Sequence, residues 1–293
     1  ALAVARASGV RLQISHLKTA GRANWGKLDA ALEKIRAAQA AGLSVASDRY
    51  PYTASCTDLD VILPAWTAQG GRAAILARLR DSGERAKIRA EMAGARDEPY
   101  WENVWVGSTH HPDNAPFAGK PIAVAAAAWK LPPLDAALRL MATDELFTGG
   151  IFFGMSEENL WRILAEPWVM IGSDASIRAP WGPLSHDHPH PRAYGTFGRF
   201  LRAALDGKSV SPGEAVRKMT SLPAEQFRLR DRGAIRAGAF ADLVVLDPQT
   251  FRDRATYEQP HQFCEGIEAV WVNGVLTFRG GQDTGARGGR YLD

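Results

Sequence analysis

Val169-Met170-Ile171-Gly172-Ser173-Asp174 is the stretch on which the fold turns. It is followed by Trp181-Gly182-Pro183 and by His186-Asp187-His188-Pro189-His190-Pro191-Arg192-Ala193-Tyr194-Gly195-Thr196-Phe197. A short apolar run ending in Gly-Ser-Asp reads as a buried strand that delivers an acid at its carboxyl end, the edge where α/β enzymes place their chemistry. Read as structure alone, Asp174 would be a helix N-cap and the histidines a solvated loop. The crowding of carboxylate, imidazole and guanidinium within a few residues favours an active site.

Working outward, alternating apolar residues over 10–18, preceded by Gly9, predict a strand that brings His16 to its end. Leu28, Ala31, Leu32, Ile35, Ala38 and Gln39 recur at helical spacing and predict a helix over 25–41, closed by Gly42. A second strand over 43–48 runs into Arg49-Tyr50-Pro51-Tyr52-Thr53-Ala54. Strand, helix, strand is a βαβ unit, so the sheet is expected to be parallel. Residues 55–101 are too long for an ordinary βα connection and are expected to form an insertion acting as a lid. A third strand is expected over 103–108, ending near His110 and His111, and a fourth over 150–155. Ser156 and Ser211 are read as caps of helices over 157–165 and 211–220. From Arg232 the texture changes to short strands at 233–235 and 239–247 and a hairpin across Asn273-Gly274. The fold class is α/β: part of a barrel over 1–230, then a small β domain over 231–293 whose strands need partners elsewhere.

The 293 residues, 46% hydrophobic and 23% charged, suit an ordinary globular chain with a large core. A net charge of +3, with Lys and Arg scattered among acids, offers no footprint for nucleic acid. No apolar run approaches the roughly 20 residues needed to cross a bilayer, so no membrane partner is expected. Cys56 and Cys264 lie far apart without metal-finger spacing, which favours a reducing, cytoplasmic setting. The opening Ala1-Leu2-Ala3-Val4-Ala5-Arg6 lacks a basic leader and reads as the end of a helix, as though the chain starts inside a longer fold.

Five segments together carry a resemblance. They are Ile14-Ser15-His16-Leu17-Lys18; Asp48-Arg49-Tyr50-Pro51-Tyr52-Thr53-Ala54; Gly172-Ser173-Asp174; His190-Pro191-Arg192 with Tyr194-Gly195-Thr196-Phe197; and Arg232-Gly233 leading to Ala241-Asp242-Leu243-Val244-Val245. In order and spacing the chain resembles the N-acyl-D-amino-acid deacylases, or D-aminoacylases, of the amidohydrolase superfamily. The resemblance implies the C-terminal part of a TIM-like (β/α)8 metal-dependent hydrolase barrel with a small β-sandwich tail. It also implies one or two zinc ions at the carboxyl ends of the strands, and a small-molecule N-acyl-D-amino acid as substrate.

On that resemblance His16 matches the middle-strand histidine ligand, and Asp174 the final aspartate, a metal ligand and the general base and acid. Zinc would lower the pKa of its bound water to roughly 7, and Asp174 would carry the proton to the departing amine. Arg192 matches the arginine that grips the substrate α-carboxylate, while Tyr50 and Lys18 would orient the substrate. Read blandly, Arg192 ties its loop to an acid such as Asp187. The family's HxH pair and early bridging ligand have no counterpart in this sequence, so further ligands are expected in a missing N-terminal region. Where some relatives carry another histidine ligand this chain offers Asp48 or Tyr50, with His110 as a substitute. A cyclic amidase of the dihydroorotase or hydantoinase kind, and an inactive fragment lacking the N-terminal ligands, are the competing readings. The chain by itself is expected to be inactive and poorly soluble, because unpaired strand edges would stand exposed. Acyl group, side-chain preference, metal number and oligomeric state stay open.

Overall fold

The computed structural model describes residues 1–95 and 98–292. Helix α1 (Leu2–Ser8) leads into strand β1 (Leu12–Ile14), and a 3-10 segment over Arg22–Lys27 opens α2 (Leu28–Ala40). Helix α2 buries Leu28, Leu32, Ile35 and Ala38, one stripe at the period of an α-helix. Strand β2 (Val45–Arg49) follows, and then β3 (Ala54–Asp58), α3 (Gly71–Arg80), α4 (Ser82–Ala95) and α5 (Glu98–Glu102). Strand β4 (Val104–Val106), α6 (Ile122–Trp129), α7 (Pro133–Thr143) and β5 (Gly149–Phe153) lead to α8 (Glu157–Ala165) and β6 (Val169–Ile171).

Strand β2 lies between β1 and β6, parallel to both, with Leu12 opposite Val45 and Ser47 opposite Val169. A central strand has helices or loops over both faces, which is why β6 is buried throughout and β2 at all but Asp48. The three strands point the same way, so their carboxyl ends share one edge.

The strands expected over 103–108 and 150–155 do not join this sheet. Strands β4 and β5 pair antiparallel with β3 in the order β3-β5-β4. The expected insertion is therefore larger than 55–101 and runs from β3 through β5. Its helices close over a core that includes Leu59, Leu79, Ile88, Met92, Leu138 and Leu140, all fully buried. Short apolar runs predict strands but carry no information on which neighbour they pair with, and that is where the reading failed.

Beyond β6 come α9 (Arg192–Leu205), α10 (Pro212–Met219) and α11 (Ser221–Gln226). The Oγ atoms of Ser156 and Ser211 accept from the amides of Asn159 and Glu214 and so cap α8 and α10. The tail strands β7 (Leu243–Leu246), β8 (Ile267–Val272), β9 (Val275–Arg279) and β10 (Gln282–Asp283) form one antiparallel sheet in the order β10-β9-β8-β7. Asn273 and Gly274 both have positive φ, 52° and 81°, as a two-residue turn between paired Val272 and Val275 requires. Residues 233–235, expected as a strand, lie in a bend and irregular structure. Among the described residues no helix is long and apolar enough to cross a membrane.

Candidate active site

The shared carboxyl edge of β1, β2 and β6 gathers the residues singled out from sequence. His16 and Asp174 leave their strands in the left-handed region, with φ of 44° and 49°. That conformation is uncommon for residues with a Cβ and persists where the surroundings enforce it. For His16 the enforcing group is Asp48: its Oδ1 accepts from the His16 amide at 2.7 Å, its Oδ2 from Gln13 Nε2 at 2.8 Å, and its carbonyl from the Leu17 amide at 2.9 Å. Gly172 makes room for that side chain, since a Cβ there would stand 3.1 Å from Asp48 Cβ. A side chain at the glycine of Gly-Ser-Asp would crowd Asp48. Asp48, offered as a stand-in ligand, is used instead in shaping the β1 end.

Arg192 is the first residue of α9, and its Nη1 lies 2.8 Å from Asp174 Oδ2 while the side chain is nearly buried. The contact is an ion pair of poor hydrogen-bond angle, for Nη1 has no aligned acceptor among the described residues. Nη2 points to the Cys56 carbonyl at 3.4 Å. Asp187, the acid expected for a loop-tying role, pairs with Arg178 at 2.8 Å instead. Tyr50 is fully buried, and its ring carries three cations: Arg49 at 4.1 Å, Arg192 at 4.6 Å and Lys18 at 5.8 Å. Lys18 Nζ sits 3.0 Å from His16 Nδ1, and burial together with Arg49 pulls its pKa down to about 8. The edge therefore gathers three cations, Arg49, Arg192 and Lys18, near two carboxylates, Asp174 and Asp48.

Two further residues of this neighbourhood were quoted in the sequence segments but given no role there. Arg49 is 1% exposed, donates from Nη2 to the Tyr52 carbonyl at 2.8 Å, and leaves Nε and Nη1 without acceptors among the described residues. A charged residue in an otherwise buried strand was the available signal. His190 is also buried, with Nε2 3.1 Å from the Ala54 carbonyl and Nδ1 accepting the Arg192 amide at 2.9 Å. Burial, then the Arg192 cation, holds its pKa well below the usual histidine value, so the ring is neutral.

A cavity of about 390 Å³ is lined by Asp174, His190 and Arg192 and, from the segment between β3 and β5, by Cys56, His110 and Phe147; His16, Lys18 and Tyr50 do not line it. His110 stacks on Phe147, with ring centroids 4.8 Å apart and planes 11° apart. Asp144 Oδ1 accepts from the amides of His110 and His111, which fixes that wall. The insertion thus contributes half of the cavity.

A metal ion calls for three or more donors. His16 and Asp174 are of the right chemical type for zinc and end strands on either side of β2. Among the described residues, however, no three His, Cys, Asp or Glu side chains come together as a metal-holding group, His110 included. His16 and Asp174 thus offer two donors of the kind zinc takes, fewer than a zinc site needs.

Residues 156–278 match the amidohydrolase family. The chain is 37% identical, over 94% of its length, to an N-acyl-D-glutamate deacylase of Alcaligenes xylosoxydans xylosoxydans, covering 47% of that protein. It is 34% identical, over 99% of its length, to a D-aminoacylase of the same organism, covering 50% of it. A solved N-acyl-D-glutamate deacylase from Bordetella bronchiseptica is complexed with zinc and a phosphonate that mimics the tetrahedral intermediate. It superposes with a TM-score of 0.72 at 32% identity, over 97% of this chain and 52% of that one. The chain spans about half the length of the relatives it matches.

Proposed function

We propose that this chain, an amidohydrolase similar over nearly all its length to N-acyl-D-amino-acid deacylases, carries the base, part of the zinc shell and the carboxylate-reading groups of such an enzyme. The observation that carries the reading is the Asp174–Arg192 pair, 2.8 Å apart at the carboxyl edge of parallel strands and lying over the buried Tyr50. The parallel strands with α2 and α8 to α10 are read as the C-terminal part of a (β/α)8 barrel, the unit from β3 to β5 as its lid, and 231–293 as part of a β-sandwich. The two free cysteines suit a reducing, cytoplasmic compartment.

His16 and Asp174 would hold zinc together with donors outside the described residues. When bound, zinc supplies the Lewis acidity that brings a water's pKa to about 7. The chain's own residues do the rest. Arg192 takes the substrate α-carboxylate through Nη1, which the Asp174 ion pair leaves without an aligned acceptor, while Nη2 donates to the Cys56 carbonyl at 3.4 Å and the Tyr50 ring lies 4.6 Å from the guanidinium carbon. Lys18 adds a second cation at the same edge. Asp174 accepts a proton from the attacking water as the water oxygen bonds to the acyl carbon. It then returns that proton to the amide nitrogen as the C–N bond breaks, releasing a carboxylic acid and a D-amino acid.

The test, made on protein that carries the remaining zinc donors as well as this chain, compares an N-acetyl-D-amino acid with its α-carboxamide. Arg192→Met should lower kcat/KM for the acid by roughly 30-fold or more, the effect of stranding one member of a buried charge pair, and affect the amide much less. Equal losses on both would mean that Arg192 serves Asp174 and does not read the carboxylate.

A further inference from the structure

We infer that His190 is the positioning residue of this site: its imidazole fixes where the Arg192 guanidinium stands by tying the start of α9 to strand β3. The inference rests on the role proposed for Arg192.

The amide of a first helical residue has no partner inside its own helix. At α9 that amide belongs to Arg192, and His190 Nδ1 accepts it at 2.9 Å in place of the usual serine or aspartate cap. An imidazole nitrogen that accepts must be unprotonated, so the proton sits on Nε2, which donates to the Ala54 carbonyl at 3.1 Å. Both ring nitrogens are used and the tautomer is determined. The ring is held in orientation by edge contacts with Tyr52 and Tyr257, whose centroids lie 5.2 and 5.0 Å away. Two residues further along β3, the Cys56 carbonyl faces Arg192 Nη2 at 3.4 Å. Alternate carbonyls of one strand thus gauge both ends of one residue, the backbone of Arg192 through His190 and its guanidinium directly. A serine cap would satisfy the amide but could not reach β3, which gives a reason for the larger side chain. Strand β3 opens the inserted unit, so the clamp also sets the cavity's insertion wall against the carboxylate-reading arginine.

The variants His190→Asn and His190→Gln separate the two bonds. Asparagine places its oxygen where Nδ1 stands, as in an ordinary cap, and gives up Ala54. Glutamine reaches toward Ala54 and gives up the cap. In protein that also carries the remaining zinc donors, KM and kcat are measured with the most active of N-acetyl-D-glutamate, N-acetyl-D-aspartate and N-acetyl-D-leucine, and with its α-carboxamide. His190→Gln should raise KM for the acid about tenfold, the scale of one net hydrogen bond, with kcat and the amide nearly unchanged. His190→Asn should recover most of that loss. Equal losses on acid and amide, or a KM for the acid unmoved in both variants, would overturn the assignment. If Arg192→Met separates acid from amide and neither His190 variant does, only the role of His190 fails. If Arg192→Met does not separate them, the Arg192 reading fails and takes the His190 role with it.

Discussion

At the scale of single residues the site is decided by a few short contacts. Asp174→Asn keeps size and hydrogen bonding but removes the carboxylate proposed as the base, and on that proposal kcat of the zinc-loaded protein should fall by about 10² or more. His16→Ala removes the proposed ligand, and on that proposal elemental analysis should find less zinc; unchanged zinc would strike His16 from the shell. Glycine spacing carries a further prediction. A Cβ on Gly195 would stand 2.4 Å from the Tyr52 hydroxyl oxygen, at the far end of a rigid ring beneath α9. Gly195→Ala should therefore cost about 1–3 kcal/mol of stability despite its better helix propensity. A denaturant midpoint at or above that of the parent would show that α9 is not so tightly seated.

Among the elements, α10 is fastened to the start of β6 by one buried lysine. Lys218 Nζ donates to the carbonyls of Glu166 and, at 2.9 Å, Val169, with its side chain 0% exposed. Burial lowers its pKa from 10.5 to about 8. Between those two values the unfolded chain holds the lysine proton more often than the folded one, so this group's contribution to stability rises with pH. Lys218→Met lacks the titration. The stability difference between parent and variant should shift in the parent's favour from pH 8 to 10.5, by at most about 3 kcal/mol. Urea melts that give the same difference at both pH values would mean that the amine is not desolvated. The same helix illustrates what is local: its Ser211 cap was legible because capping chemistry spans only a few residues.

For the whole molecule the main feature is that the two largest hydrophobic clusters among the described residues are separate. One lies under the helices of the inserted unit around Ile88 and Met92, and another packs α8 and α9 against β6 through Leu160, Ile171 and Phe200. Ile88→Ala, at a fully buried position, should cost about 2–5 kcal/mol. Hydrogen exchange should place that loss on amides of β3 to β5 and α3 to α7, leaving β2 and β6 protected. An equal loss of protection everywhere would show that the two cores unfold as one.

What the sequence determined by itself is what short-range pattern and capping chemistry encode: the βαβ unit of β1, α2 and β2, the buried strand that ends in Gly-Ser-Asp, the serine caps, and the Asn273-Gly274 hairpin. It also brought His16, Tyr50 and Asp174 to strand ends, because strand alternation and apolar runs are visible residue by residue. Pairing was beyond it. That β4 and β5 join β3 and not β2, that Asp48 holds the His16 amide 32 residues away, and that His190 reaches Ala54 across 136 residues were decided only by the tertiary structure. The physical reason is the same in each case. A hydrogen bond or ion pair between distant residues leaves no period in the sequence, and its partner is selected by which surfaces the packed cores bring within about 3 Å of one another.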